Sequence, residues 1–106
     1  MDPFAPSSWV YHVGRSLFVL NRVEEAVTKF EHALERTPGF FPASLYLVCS
    51  YVELGRLEEA RIARETGFQA MPHCTIAYLK AKWAYRGESE LERLVHSLRK
   101  VGVSEA

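Results

Sequence analysis

The feature that most constrains this chain is an internal repeat with a period of 34 residues. The hexamer NRVEEA at residues 21–26 returns almost unchanged as GRLEEA at residues 55–60. When residues 7–40 are aligned with residues 41–74, eight positions are identical. A fixed period of this length is typical of helical repeats, in which each unit buries its apolar side against the next one.

The first unit, residues 7–40, has the pattern of two helices joined by a tight turn. Ser7 marks a helix start, and apolar side chains then recur at helical spacing up to Asn21. Because Asn tolerates the left-handed backbone conformation of a turn, we expect the first helix to end there. A second helix is predicted over residues 22–36, and Pro38 follows it as a terminator.

The second unit, residues 41–74, repeats this plan with Pro42 in the first turn of a helix and Gly55 at the turn. A second helix is predicted over residues 57–70, with Pro72 behind it. In both units a Glu-Glu pair falls in the first turn of the second helix, where negative charge complements the helix dipole. The alanine after each pair is small enough to let two antiparallel helices approach closely.

A third unit, residues 75–102, continues the alternation less faithfully. A helix is predicted over residues 75–85, ending near Gly87. The segment SELE that follows has the form of a capping box, which predicts that Ser89 is the N-cap of a last helix running to about residue 101. Gly102 stands where a helix-terminating glycine belongs.

The repeat resembles the tetratricopeptide repeat (TPR). The period of 34 favours it over the RNA-binding pentatricopeptide repeat, and Leu94 and Val101, at phases filled by smaller residues in unit two, indicate a divergent capping pair. The resemblance implies an all-α right-handed solenoid of about three helix pairs over residues 7–102, with tails at 1–6 and 103–106. The residues that carry it are Gly14, Ala26, Phe30, Ala33, Pro38, Tyr51, Gly55, Ala60, Gly67 and Pro72.

A narrower resemblance concerns the end of the chain. The segment LERLVHSLRKVG, Leu91 to Gly102, is similar to the closing tail of the C-terminal TPR region of bacterial class III adenylate or guanylate cyclases. The opening DPFAPSSWVYHVGRSLFVL also looks like the entry into the last repeats of such arrays. This resemblance implies a regulatory or scaffolding part of a signalling protein. Another bacterial TPR protein with a similar cap remains the alternative.

Charge and hydropathy exclude several classes of function. The net charge is zero and the pI is about 6.9, which argues against binding nucleic acid through bulk charge. No apolar run is long enough to cross a membrane, and the first residues lack the pattern of a signal peptide. Cys49 and Cys74 form no CxxC pair, so we expect two reduced thiols in a cytoplasmic protein. The basic residues of unit three are interleaved with glutamates, which predicts a solvated face of pairs within one helix.

The sequence offers no catalytic constellation. The one aspartate, Asp2, lies near the N-terminus, so the paired metal-binding aspartates of a cyclase catalytic domain are missing from this chain. The four histidines are scattered over different elements, and no glycine-rich phosphate loop is present. Cys49 with a histidine could be drawn as a nucleophile and base, but no residue would orient the base. We therefore expect no enzyme activity, no metal and no cofactor.

The first helix of each pair in a TPR stack lines a groove, and the resemblance places aromatic and basic side chains there. Such a surface suits a protein or peptide segment that is apolar with some acidic character. A second hypothesis is self-association through an exposed first helix that carries Trp9, Val13 and Phe18. The residues assigned to the groove are Tyr11, His12, Arg15, Tyr46, Cys49, Leu79, Lys80, Trp83 and Arg86.

Overall fold

The computed structural model describes residues 6–106, so the predicted N-terminal tail lies outside the described residues except for Pro6. The described chain is all-helical, with no strand. None of its helices has both the length and the apolar character needed to span a membrane. Its helices are α1 (Ser7–Val19), α2 (Val23–Arg36), α3 (Phe41–Glu53), α4 (Leu57–Gly67), α5 (Ile76–Lys82) and α6 (Glu88–Lys100), with a short 3-10 turn (Ala84–Arg86) before α6.

The first four helices form two hairpins whose turns are built in the same way. Asn21, with a φ of 65°, follows α1, and Gly55, with a φ of 77°, follows α3. In each turn two backbone amides bond back to the last helical carbonyls in a Schellman motif, for example Arg22 to Leu17 and Arg56 to Tyr51, both at 2.8 Å. The predicted turns between the paired helices are thus confirmed.

The two hairpins pack through small residues. Ala26 and Ala60 are fully buried, as the repeated hexamer predicts. Gly14 of α1 lies so close to α2 that a Cβ built on it would stand 2.7 Å from a ring carbon of Phe30. Between the hairpins, α3 packs on α2 as well as on α4, and its residues 43–52 are all buried. Helix α3 is therefore the centre of the core.

Helix α4 ends earlier than predicted, at Gly67 rather than near residue 70. Beyond it, the amides of Ala70 and Met71 bond three residues back, which is turn geometry rather than α-helix. Phe68, in the turn, packs its ring edge-on against Phe41 at a centroid distance of 5.2 Å. The packing of Phe68 on Phe41 favours the turn over a longer helix.

The third helix pair differs from the prediction in its details. Helix α5 stops at Lys82, because the chain then turns to place Trp83 against the ring of Tyr46. The predicted capping box is wrong: α6 begins at Glu88, its N-cap position is Gly87 with a φ of 94°, and Ser89 is an exposed residue of the first turn. A glycine adopts this conformation without strain, so the sharp entry into α6 depends on it.

The third pair also does not stack on the second hairpin as a further repeat would. Helix α5 packs mainly on α6 and the 3-10 turn rather than on α4, whereas α6 packs mainly on α3. The reason is the composition of α3, which is apolar on nearly all sides. Helices α2 and α4 cover only part of its surface, and another apolar side would otherwise be exposed to solvent. Helix α6 is strongly amphipathic, with Leu94 and Leu98 fully buried, and it covers that side.

Residues 103–106, predicted as a tail, are bound to the fold in the structure. At the start of α5, the Ile76 amide donates a hydrogen bond of 2.9 Å to the carbonyl oxygen of Ser104, and the Ala77 amide donates one of 2.9 Å to that of Glu105. The side chain of Val103 is buried. The last residues thus close the first turn of α5.

Candidate helix-binding face of α1 and α3

Helices α1 and α3 present one continuous face to α6. We call it the α1–α3 face and define it by Arg15, Phe18, Tyr46, Cys49 and Glu53, each of which contacts α6 in the structure. On each helix these positions follow one another at three- or four-residue spacing, which places them on one side of the helix.

Glu90 of α6 is the polar centre of this contact. Its two carboxylate oxygens accept hydrogen bonds from the Arg15 guanidinium at 2.9 and 2.8 Å, in a bidentate ion pair. The Tyr46 hydroxyl also donates to the same carboxylate. Burial alone would raise the pKa of the Glu90 carboxyl, but the hydrogen bonds from Arg15 and Tyr46 outweigh it and the pKa lies below its ordinary value.

Arg93, one helical turn after Glu90, makes the second polar attachment. Its guanidinium donates to the Glu53 carboxylate at 2.9 and 2.6 Å and to the backbone carbonyl of Phe18 at 3.0 Å. The same group lies 3.9 Å from the centre of the Phe18 ring, within cation–π distance. Arg93 therefore joins α6 to α1 and α3 at once.

The apolar floor of the face is fully buried. Tyr46, at 0% exposure, has the rings of Tyr11, Phe18, Phe30 and Trp83 around it at centroid distances of 5.3 to 5.7 Å. Burial raises the pKa of Tyr46 well above its ordinary value, with the neighbouring Glu90 carboxylate adding to the effect. The phenol therefore stays protonated and donates to Glu90.

Cys49 lies deeper in the same floor. Its thiol is directed at the carbonyl oxygen of Leu94, with the two atoms 3.7 Å apart. Burial raises the pKa of the Cys49 thiol, so the nucleophilic thiolate is disfavoured. The position thus serves as a small packing residue under α6.

Arg86 extends the contact at the other end of α1. It donates to the hydroxyl of Tyr11 at 2.9 Å and lies 4.9 Å from the centre of the Trp83 ring. Burial raises the pKa of Tyr11 to about 12, although the positive charges of Arg86 and Arg15 lower it in part. Tyr11 is therefore a neutral acceptor for Arg86 at neutral pH.

The structure brings most of the predicted groove residues together. They form a cluster in which residues of α1 and α3 contact the chain's own C-terminal part, and its members are Tyr11, Arg15, Tyr46, Cys49, Trp83 and Arg86. The other three predicted residues are placed differently: His12 is exposed to solvent at the edge of the cluster, with its ring centre 4.9 Å from that of Tyr11, Lys80 is exposed, and Leu79 is fully buried in the core.

Sequence reasoning missed the residues that hold the cluster in place, Glu90, Arg93 and Glu53. The glutamates and arginines of unit three were predicted to pair within one helix, and for Glu90 and Arg93 this is wrong. Glu90 pairs with Arg15, 75 residues away, and Arg93 pairs with Glu53, 40 residues away. The one available signal was that Glu90 shares a helix face with Leu94 and Leu98, at spacings of four and eight residues.

A cavity of about 530 Å³ lies outside the face, between α5 and α6. Lys80 and Arg99 line it together with Glu88 and Glu92, so its walls carry both signs of charge. Among residues 6–106, no cluster of three or more histidine, cysteine or acidic side chains is arranged to hold a metal ion.

Comparison with known proteins gave no match: no protein-family model matches the chain, and neither does any curated protein or any solved structure.

Proposed function

We propose that the chain is a non-catalytic protein-interaction module that binds a helical segment of a partner protein on the α1–α3 face. One observation carries the proposal: this face already holds an amphipathic helix, α6, through a bidentate ion pair, a cation–π contact and buried leucines. The same chemistry suits a partner helix with apolar residues and a carboxylate on one side.

Within this proposal, α1 to α4 are two TPR-like hairpins that form the scaffold. The 34-residue repeat, the matching turns at Asn21 and Gly55 and the close approach at Gly14 support this assignment. The third pair is a divergent cap that covers the face. In this cap the second helix, α6, packs on α3 in place of the first helix, α5, and this distinguishes the arrangement from a regular three-pair solenoid.

Arg15 is the residue on which a test depends, because its side chain is partly exposed and reaches the acidic centre of the face. Tyr46 is unsuitable, since a fully buried tyrosine cannot be truncated without disturbing the core. The experiment selects ligands for the full chain from a displayed library of helical peptides. Enriched sequences should carry Asp or Glu four residues before an apolar residue. Their affinity is compared in a chain that carries Glu90→Gln, so that α6 itself makes no ion pair with Arg15, and there Arg15→Ala should weaken binding about tenfold or more.

The matched control is Arg61→Ala, which removes an exposed arginine from α4, away from the face. It should bind the selected peptides as well as the unmodified chain does. A library that yields no helical ligand, or ligands that bind Arg15→Ala as tightly as Arg61→Ala when both variants also carry Glu90→Gln, would overturn the proposal.

A second candidate function, self-association, is favoured by the outer side of α1. Trp9 is 53% exposed and Leu20 65% exposed, with Val13 partly exposed between them on the same stripe. Trp9 and Val13 correspond, 34 residues on, to Ala43 and Leu47 of α3, which are buried. Phe18, predicted to belong to this surface, is fully buried instead because it packs under Arg93 and against Tyr46.

Light scattering after size exclusion, at several protein concentrations, tests this second candidate. Self-association through α1 predicts a dimer that Trp9→Glu dissociates and that Ile62→Glu, at a 58% exposed position of α4, leaves intact. A monomer at every concentration would exclude it.

We further propose that the module is the cytoplasmic C-terminal regulatory or scaffolding part of a bacterial class III cyclase-like signalling protein. The cyclase-like tail, residues 91–102, supports this proposal. Its Leu94 and Leu98 are fully buried, and its Gly102 has a φ of 82°, so these motif residues have structural roles in the fold. The alternative is a free-standing TPR adaptor. Translation of the reading frame on the N-terminal side of this segment distinguishes them, because a cyclase parent must encode a catalytic domain with paired metal-binding aspartates there.

A further inference from the structure

The way in which α6 is joined to the rest of the chain allows it to dissociate from α1 and α3 while the first four helices stay folded. The segment between α4 and α5, residues 68–75, contains no helix, and α5 packs mainly on α6 and the 3-10 turn rather than on α4. The main attachment of the C-terminal pair to the first four helices is α6, with Trp83 against Tyr46 and Arg86 on Tyr11 beside it.

The attachment is specific but incomplete. Glu90 and Arg93 make the ion pairs described above, and each has a defined partner on the α1–α3 face. Two buried polar atoms of the same region have no hydrogen-bond partner among the described residues, the Arg86 Nε and the Ser97 Oγ. A buried hydroxyl without a partner costs free energy in the docked state, so an apolar residue at position 97 should allow α6 to dock more firmly.

We propose that α6 is an intramolecular occupant of the α1–α3 face, displaced by a partner helix with a carboxylate at the Glu90 position and leucine-sized residues four and eight positions later. This inference rests on the proposed function and adds the regulation of the same site. The three anchor positions are those of Glu90, Leu94 and Leu98, which lie on one stripe of α6.

Tethering explains why the closed state dominates without a partner. A helix on a short linker competes at an effective concentration on the order of millimolar, so a free helix of equal affinity binds poorly. The apparent affinity for a free helix is reduced by the fraction of molecules in which the face is open. Weakening the docking of α6 must therefore strengthen the binding of a free helix.

The test uses the full chain and a fluorescent peptide with the sequence of residues 87–103, which contains the native Glu90. Anisotropy titrations should show that Glu90→Gln binds this peptide about ten- to a hundredfold more tightly than the unmodified chain. The matched control is Glu92→Gln, which removes a carboxylate from the exposed side of α6. It should bind the peptide like the unmodified chain.

A second variant changes the docking in the opposite direction. Ser97→Ala removes the unpaired buried hydroxyl, so α6 should dock more firmly and the peptide should bind several-fold more weakly. The test remains decisive even if Glu90→Gln does not fold, because Ser97→Ala should stabilise the folded chain and its predicted effect on peptide binding can still be measured.

Hydrogen exchange on the complex separates this inference from the proposed function. Displacement predicts that α6 amides of the chain lose protection when the peptide saturates it. Peptide binding with α6 still protected, or equal affinities of Glu90→Gln and Glu92→Gln, would overturn the displacement and leave helix binding in place. If α6 of Glu90→Gln loses protection and yet no peptide binds, the proposed function itself fails.

Discussion

At the scale of single residues, close contact between helices depends on a few small side chains. Gly14 is the clearest case, because a Cβ there would stand 2.7 and 2.9 Å from two ring carbons of Phe30. The Phe30 ring is fully buried and touches the rings of Tyr11 and Tyr46, so it has no free space into which to move. The hairpin of α1 and α2 is therefore built around the absence of a side chain at position 14.

We predict that Gly14→Ala lowers the free energy of unfolding by about 1–3 kcal/mol, the usual cost of overpacking a core, despite the better helix propensity of alanine. Urea denaturation followed by circular dichroism measures the change. Gly39→Ala is the control, since no atom lies within 4 Å of the Cβ it would add. Equal stability of the two variants would contradict the packing argument.

The Glu90 carboxylate makes stability depend on pH. Its pKa in the folded chain lies below the ordinary value, so the unfolded chain binds a proton there more readily than the folded chain does. The stabilisation from Glu90 is thus fully present above the ordinary carboxyl pKa of 4.5 and is lost as the pH falls through the lowered value.

We predict that Glu90→Gln is less stable than the unmodified chain at neutral pH and that the difference shrinks as the pH falls below about 4.5. Thermal unfolding between neutral and acidic pH provides the measurement. A comparison of variants is needed, because hydrogen bonds from Arg56 and Arg99 also lower the pKa values of Glu59 and Glu105. A difference that stays constant over the acid range would argue against the Arg15–Glu90 ion pair.

At the scale of elements, α5 depends on residues far from it in sequence. A helix of seven residues is marginal on its own, and α5 has two supports: Thr75, whose hydroxyl accepts a hydrogen bond of 3.1 Å from the Tyr78 amide, and the C-terminal segment. The carbonyls of Ser104 and Glu105 provide acceptors for two amides at its N-terminus that the helix itself leaves free.

We predict that deletion of residues 104–106 raises the rate of hydrogen exchange in α5 while α1 to α4 keep their protection. Mass spectrometry of peptic fragments covering α5 detects the change. Glu105→Ala is the control, because it removes the exposed ion pair with Arg99 but keeps both backbone carbonyls. Faster exchange in the control as well would show that the side chain, not the backbone, supports α5.

At the scale of the whole molecule, α3 connects the parts of the fold. It packs against α1, α2, α4 and α6, while α5 packs on α6 and the 3-10 turn. Native-state exchange should therefore be slowest at the amides of α3 and fastest, among the helices, at those of α5. Exchange in α5 as slow as in α3 would show instead that the C-terminal pair opens only with the entire fold.

Much of the fold follows from local signals. The turns at Asn21 and Gly55, the terminator at Gly102 and the buried alanines of the repeated hexamer are all found as predicted, because each depends on the backbone preference or size of one residue. The repeat adds a detail that local reasoning did not include. Arg22 pairs with Glu25, and Arg56 pairs with Glu59, at the same place in both hairpins.

The candidate site was predicted in part. Its aromatic and basic members were found from their phase in the repeat, and most of them do lie together. The sequence did not predict that α6 covers these residues, since an amphipathic helix with this pattern could pack against α5, against α4 or across α3. The choice depends on which apolar surface is left uncovered by the other helices, and this is a property of the assembled core.

By itself the sequence determined the order of the helices and the two tight turns, because these depend on residues close together in the chain, and it showed the 34-residue repeat directly. The ends of α4 and α5 and the start of α6 were not determined by the sequence alone. Only the tertiary structure decided that α6 lies on the α1–α3 face and that Glu90 meets Arg15. The physical reason is that burying a carboxylate requires a partner placed by the rest of the fold, and no local pattern specifies a residue 75 positions away.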